Sequence, residues 1–361
     1  MVEKKRKICF VISNIKVGGA ENQFVKLMNN LNHDYFDIYL LIYSYNGSIA
    51  FDINPNINII KNNEINRIKN KIMKIIYSLF FLRSFFKQNY FDIIQTTLFN
   101  NSFILRLAIP KLYYNKVIAS IRTTSYKWWQ YFFEYYFIKK SLLVTNSKFV
   151  FKKLSKYKSF SKKLFYIPNG FEVKNYNYKK FNTDKIKLGT VGRISHEKNQ
   201  LEILNVLTKL KNQNIMFFIY GDKGNAYSSI KSFVEKNNIN NMVKIIIGEN
   251  DPKKLYEKID IFVLPSLYEG FPNSIFEAML NSKICIISDK ANKDNHIIDK
   301  VNGFVFESGN ISNLIENINY LIERINSEEI NKIRETAFRK VREQYSIEKI
   351  ITDYNQIYML I

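Results

Sequence analysis

The residues best suited to chemistry lie in one stretch, Pro265-Ser-Leu-Tyr-Glu269-Gly270-Phe271-Pro272-Asn273-Ser274-Ile-Phe-Glu277-Ala-Met-Leu280. A strand pattern runs into a turn and then into a helix whose first turn is near Ser274. Gly270 and Pro272 let the backbone turn sharply. The amides of Asn273 to Ile275 would then sit at a helix N-terminus, where free N–H donors and a favourable dipole suit an anion. Glu269 lies on the loop. Glu277 lies about one turn into the helix, where a carboxylate can accept two hydroxyl hydrogen bonds from a sugar. An ordinary capped helix with two solvated carboxylates fits the same spacing, because Ser and Asn are common caps.

A second group, Val191-Gly192-Arg193-Ile-Ser-His-Glu-Lys198-Asn199, follows a strand that opens the second half of the chain. Ligands bind at such carboxyl ends in open α/β sheets. The planar fork of Arg193 and the point charge of Lys198 together suit a diphosphate, although a surface loop with two solvated cations reads the same way. A third group, Gly18-Gly19-Ala20-Glu21, follows the first strand and lets a ligand approach the backbone. It is not GxGxxG, so a dinucleotide cofactor is poorly supported. A plain β–α turn explains it equally well.

The elements that must position these groups alternate between strand and helix. Strands are expected at Lys7–Ser13, Asp37–Tyr43, Phe91–Gln95, Val117–Ile121, Leu142–Thr145 and from Phe165 into the turn at Gly170. Helices are expected through Val25 to Leu31, Ile65–Lys87 and Trp128–Lys140. After a polar stretch the pattern restarts, with strands at 186–191, 215–220, 243–247, 259–264 and 284–288 and helices from near Asn199 and at about 226–237, 252–257, 274–281 and 311–324. Two Rossmann-like domains facing a central cleft follow, an α/β architecture. The expected division is 1–175, 176–340 and a terminal helix within 341–361.

Composition narrows the function. At 361 residues, 46% hydrophobic and 24% charged, the chain is globular and long enough for two domains. Two distant cysteines exclude a disulfide framework and a cysteine zinc site, and three histidines have no ligand spacing. No apolar run approaches ~18 residues, so no transmembrane helix is expected. The run Ile8–Ile12 is too short for a signal-peptide core, which argues for a cytoplasmic protein. The net charge of +22 is unevenly placed: residues 1–180 hold 30 Lys/Arg against 9 Asp/Glu, and the rest hold 24 against 23. A basic half implies a polyanionic partner: nucleic acid, an anionic membrane or a phosphorylated substrate.

Taken together, Gly18-Gly19-Ala20-Glu21, Ile167-Pro168-Asn169-Gly170, Val191-Gly192-Arg193 with Lys198, and the Glu269–Glu277 segment with its Gly-Phe-Pro insert resemble glycosyltransferase family 4. The resemblance runs over nearly the whole chain in the family's order, and the stretch from Tyr345 to Tyr358 resembles the last helices, which cross back onto the first domain. It implies the GT-B fold and sugar transfer with retention of anomeric configuration. Arg193 and Lys198 would hold the donor diphosphate, and with Glu269, facing the donor sugar, they form the catalytic group. Backbone amides across Phe271, Pro272, Asn273 and Ser274 would contact the donor sugar and phosphate, Glu277 the nucleotide ribose, and Gly18 and Gly19 the phosphates and acceptor. Cations and amides would carry the leaving-group charge, so no metal or other cofactor is needed. Many relatives place a histidine near the donor sugar. Here the matching stretch, Ile94-Gln95-Thr96-Thr97-Leu98-Phe99-Asn100-Asn101, has none, and Thr97 or Asn100 is the expected replacement.

The expected substrate is a nucleotide-diphosphate sugar and the expected acceptor a surface glycan, such as lipopolysaccharide or capsule, or a lipid-linked glycan. The basic segments 67–87 and 148–163 are expected to dock on the inner face of the cytoplasmic membrane, with Tyr77, Phe80, Phe81, Phe85 and Phe86 adding apolar insertion. A GT-B sugar-nucleotide epimerase would need more acid/base residues than this histidine-poor chain offers. A nucleic-acid-binding protein fits the charge, but no nucleic-acid motif accompanies it, so no nucleic-acid partner is expected.

Overall fold

The structure, a computed structural model, describes residues 4–15, 18–47, 49–124, 126–173, 175–181, 184–210, 214–248 and 253–361. The chain divides into two compact units, Met1–Gly170 with Ile347–Ile361, and Phe171–Ser346.

The first unit is built on a seven-stranded parallel sheet. Its strands are β1 (Arg6–Ile12), β2 (Phe36–Ile42), β3 (Asn58–Lys61), β4 (Ile93–Thr97), β5 (Val117–Ile121), β6 (Leu142–Thr145) and β7 (Leu164–Tyr166), in the order β3-β2-β1-β4-β5-β6-β7. The central strands are continuous apolar runs because both faces are covered. On one face Ile8, Phe10, Ile12, Ile118 and Val144 pack against α1 (Gly19–Asn30) and the terminal helix Ile347–Met359. On the other, Cys9, Val11 and Ile94 meet α2 (Lys71–Gln88) and α3 (Phe99–Ala108). Next come α4 (Trp128–Phe137) and α5 (Lys148–Ser155).

The expected helix 65–87 is two elements: a 3₁₀ turn at Glu64–Arg67 and then α2. The Asn70 side chain caps the second by accepting from the Ile72 and Met73 amides. Helix α3 and the edge strand β3 were not expected. The burial of α2 also departs from expectation. Phe86 is buried in the core, while Phe81 and Phe85 stack on their neighbours. Of the residues expected to insert, Phe80 is exposed, and Ile72, Met73, Ile75 and Ile76, which were not expected, are exposed with it.

The second unit has a six-stranded parallel sheet of β8 (Ile186–Val191), β9 (Ile215–Tyr220), β10 (Val243–Ile246), β11 (Ile261–Leu264), β12 (Ile284–Ser288) and β13 (Phe304–Phe306), in the order β10-β9-β8-β11-β12-β13. Its helices are α6 (Gln200–Lys209), α7 (Tyr227–Lys236), α8 (Lys253–Tyr256), α9 (Asn273–Leu280), α10 (Ile311–Arg324) and α11 (Glu328–Gln344). The first residue of the helix expected at 252–257 lies outside the described residues.

The units divide a few residues from the expected 175/176 and 340/341. Phe171 stacks on Phe276 at 5.3 Å and Tyr345 packs at a tilt against the same ring at 4.7 Å, which ties both crossing points to the second core. The terminal helix α12 (Ile347–Met359) belongs to the first unit, where Tyr354 and Tyr358 are buried. Gly170 makes its close approach possible, since a Cβ there would lie 2.7 Å from Ile347 Cδ1. Among the described residues no helix is long and apolar enough to cross a membrane.

Candidate active site

In the second unit the carboxyl ends of β8 and β9 are pressed together backbone to backbone. The Gly192 N–H donates to Tyr220 O at 2.9 Å, and the Ile194 N–H to Asp222 O at 2.9 Å. Gly221 has φ +155, and a Cβ on it would lie 2.1 Å from the Gly192 carbonyl oxygen. No side chain fits there, so the approach of the loops depends on that glycine. Arg193 rides on the paired loop with its side chain exposed, and its carbonyl accepts from Gln200 Nε2 at 3.0 Å.

The structure joins two of the expected catalytic residues to each other. Lys198 Nζ lies 2.6 Å from Glu269 Oε1, with the side chains 27% and 12% exposed. The Ser266 hydroxyl donates to the same oxygen at 2.7 Å, and the Ser288 hydroxyl to the Ser266 carbonyl at 2.6 Å. The Leu267 N–H donates to Glu197 O at 2.8 Å, so the 193–198 and 265–269 loops are also tied through their backbones. Glu269 therefore neutralises and aims Lys198, and Arg193 is the cation presented to solvent.

Helix α9 begins at Asn273 with no side-chain cap. Two of the three amides expected to be free are engaged: Asn273 N–H donates to Phe271 O at 2.9 Å and Ile275 N–H to Pro272 O at 3.0 Å. The tight turn that Pro272 makes folds these donors back on the loop. The Ser274 N–H finds no partner among the described residues. The Phe271 ring is buried 4.7 Å from that of Phe276, so the loop is pinned by its side chain and offers its backbone. Glu277 is half-buried, and Oε2 lies 3.0 Å from the Tyr256 hydroxyl, which also lies 3.1 Å from Ser274 O. Burial, and then the Glu277 charge, push the Tyr256 hydroxyl well above its usual range, so it stays a proton donor and orients the carboxylate.

The remaining candidates belong to the first unit. Gly18 precedes α1 in an extended conformation, φ −171, and is half-buried, while Gly19 is exposed in the helix's first turn. Thr97 closes β4 and is fully buried. Asn100 is exposed on α3, and its neighbour Asn101 is the buried one, accepting from Ser13 N–H at 3.2 Å and Tyr43 OH at 2.9 Å. Of the two expected histidine replacements, only Thr97 is held in the interior.

The sequence reading passed over Ser266, Tyr256 and Gly221. Two glycines three apart directly after β9, Gly221 and Gly224, were the available signal for the loop contact.

Comparison with known proteins agrees with this layout. Residues 17–175 match the model of the family described as Glycosyltransferase Family 4, and residues 174–340 that of Glycosyl transferases group 1. The chain belongs to glycosyltransferase family 4. Its two-sheet architecture is that of the GT-B glycosyltransferases. It is 33% identical over 147 residues to the capsular polysaccharide biosynthesis glycosyltransferase CapH of Staphylococcus aureus, covering 40% of this chain and 41% of that one. It is 25% identical over 174 residues, 47% of this chain and 44% of the other, to the Escherichia coli UDP-Gal:alpha-D-GlcNAc-diphosphoundecaprenol alpha-1,3-galactosyltransferase. These matches thus span about two-fifths of each relative's length. Anabaena HepE in complex with UDP and glucose superposes with a TM-score of 0.76 at 15% identity, over 99% of this chain and all of that one, a likeness of fold.

Proposed function

We propose that this family 4 chain transfers a sugar from a nucleotide-diphosphate sugar to a surface-glycan or lipid-linked acceptor, retaining the anomeric configuration. The observation that carries the proposal is the Ser266–Glu269–Lys198 chain of contacts beside the exposed Arg193. A lysine aimed by its carboxylate beside an exposed arginine, at the carboxyl edge of a parallel sheet, suits a diphosphate leaving group. Arg193, Lys198 and the Ser274 amide stabilise the charge that grows as the bond from the anomeric carbon to the phosphate oxygen breaks. The acceptor hydroxyl attacks on the face the phosphate leaves, and its proton passes to that phosphate. Glu277, oriented by Tyr256, takes the ribose hydroxyls. Because fixed cations and an amide hold the diphosphate, the reaction proceeds without a metal ion.

An anionic membrane is the surface on which the acceptor is met. Between residues 65 and 91 there are six Lys or Arg and no Asp or Glu, and Ile72, Met73, Ile75, Ile76 and Phe80 are exposed among them. Helix α4 adds Trp128, 82% exposed, and Phe132, 65% exposed, while its one carboxylate, Glu134, is buried against Arg106 at 2.7 Å. Basic and apolar side chains mixed on exposed helices suit a lipid interface. The names of the relatives support a polysaccharide or lipid-linked acceptor.

A thermal-shift screen of nucleotide-diphosphate sugars in excess EDTA tests the reading, since a ligand that binds the native state raises its midpoint by mass action. One or a few of them should raise it. No response to any sugar nucleotide, with or without a divalent ion, would contradict the proposal.

A further inference from the structure

The carboxyl edge of the first unit's sheet holds polar atoms that nothing around them satisfies. Thr97 on β4 and Ser120 on β5 are paired in register, and Ser120 is paired with Val144 on β6. By strand alternation Arg122 and Asn146, each two residues further on, fall on the same face. Thr97, Ser120 and Asn146 are no more than 2% exposed. Thr97 Oγ1, Ser120 Oγ, Asn146 Oδ1 and Arg122 Nε are buried and have no hydrogen-bond partner among the described residues. An unsatisfied buried polar atom costs on the order of 1–3 kcal/mol, and folded proteins keep few of them. Here four meet on three adjacent strand ends, beside the buried Gln95 of β4, whose Oε1 accepts from the Tyr358 hydroxyl and whose Nε2 also lacks a partner among the described residues; the other side chains of these strands on that face are apolar and covered by α1 and α12.

Arg122 sets the sign of what belongs there. It is half-buried and held in place by neutral groups. Nη1 donates to Asn169 Oδ1 at 2.6 Å and Nη2 to the Tyr354 hydroxyl at 3.0 Å, while Asn146 Nδ2 donates to the same Asn169 oxygen at 3.2 Å. No carboxylate of the described residues forms a hydrogen bond or ion pair with it. A guanidinium fixed without a counter-charge, beside two hydroxyls that can donate, is matched to an oxyanion.

We propose that Arg122, Ser120 and Thr97 form a binding site for a phosphate group carried by the acceptor. Asn146 Oδ1, an acceptor, takes a hydroxyl of the sugar next to that phosphate. The proposal deepens the glycosyl-transfer reading and rests on it for the word acceptor. The site itself rests only on the first unit.

Inorganic pyrophosphate, titrated into the full chain in EDTA and followed by phosphorus NMR, probes both anion sites. The wild type should show two. Arg122→Gln should weaken one of them about tenfold or more, as loss of a charged hydrogen-bond partner does, and Arg122→Lys should restore part of it. Ser120→Ala should weaken the same site about threefold while leaving the unfolding midpoint unchanged or raised, because it deletes an orphaned hydroxyl. Arg193→Ala should remove the other site. Wild-type binding in both Arg122→Gln and Ser120→Ala overturns the proposal, and so does a Ser120→Ala midpoint that falls while binding is untouched. If Arg193→Ala changes nothing while Arg122→Gln abolishes binding, the donor assignment fails and the first-unit site stands.

Discussion

The carboxyl edges of the two sheets are finished differently. In the second unit most charges and donors are matched, Lys198 to Glu269, Ser266 to the same carboxylate, Tyr256 to Glu277, and the Gly192 and Gly221 backbones pressed together, with the Arg193 side chain and the Ser274 amide left open. In the first unit the corresponding edge keeps, among the described residues, a cation without a carboxylate and three buried side chains with an unmet donor or acceptor. The units differ in charge in the same sense, with 28 Lys/Arg against 10 Asp/Glu in the first and 26 against 22 in the second. One edge is assembled before its ligand arrives. The other is left to be completed by the phosphate-bearing acceptor proposed for it.

Four perturbations would break or sharpen that contrast. The largest effect is expected from Gly221→Ala. Its Cβ would meet a backbone oxygen that cannot swing aside, so the second unit should lose about 3 kcal/mol or more, read from denaturant midpoints. A wild-type midpoint would show that the loops can part without cost. Next is Arg193→Ala, expected to slow transfer on the order of 10²-fold, as loss of one transition-state charge contact does. Its melting midpoint should not move, because the side chain is exposed. Third, replacing Lys69, Lys71, Lys74, Arg83 and Lys87 by Gln should release the full chain from anionic vesicles, since each charge near such a surface contributes ~1 kcal/mol. Equal sedimentation of this variant and wild type would assign α2 a packing role only. The smallest effect is expected from Tyr256→Phe. It removes one buried hydroxyl contact and should cost about 1 kcal/mol of stability, with a matching loss of nucleotide affinity from a carboxylate no longer held.

Much of the second unit's site was legible because its residues are sequential. Glu269, Phe271 and Glu277 lie on one strand–turn–helix, and Arg193 and Lys198 on one loop. What could not be read was the pairing across loops. No spacing indicates that Lys198 meets Glu269, or that Pro272 folds back two of the amides expected to be free. The first unit's edge was less legible for a related reason. Arg122, Asn146 and Asn169 follow three different strands and meet only when register places them side by side. The strands of both sheets were found from their apolar runs except β3 and β13, which are only four and three residues long and lie at the sheet edges. The long helix 65–87 was overextended because its basic and aromatic residues continue the helical pattern through Ile68 to Asn70, where a side-chain cap restarts it.

The central claim is that fixed cations of the second unit, without a metal ion, hold a nucleotide diphosphate for transfer. Its most direct test is calorimetric titration of nucleoside diphosphates into the full chain in excess EDTA, for the wild type and for Arg193→Ala. The account predicts that at least one nucleoside diphosphate binds the wild type in EDTA and that its affinity falls at least tenfold in the variant. Equal affinity in the two proteins, or binding that appears only when Mg²⁺ or Mn²⁺ is added, would contradict it.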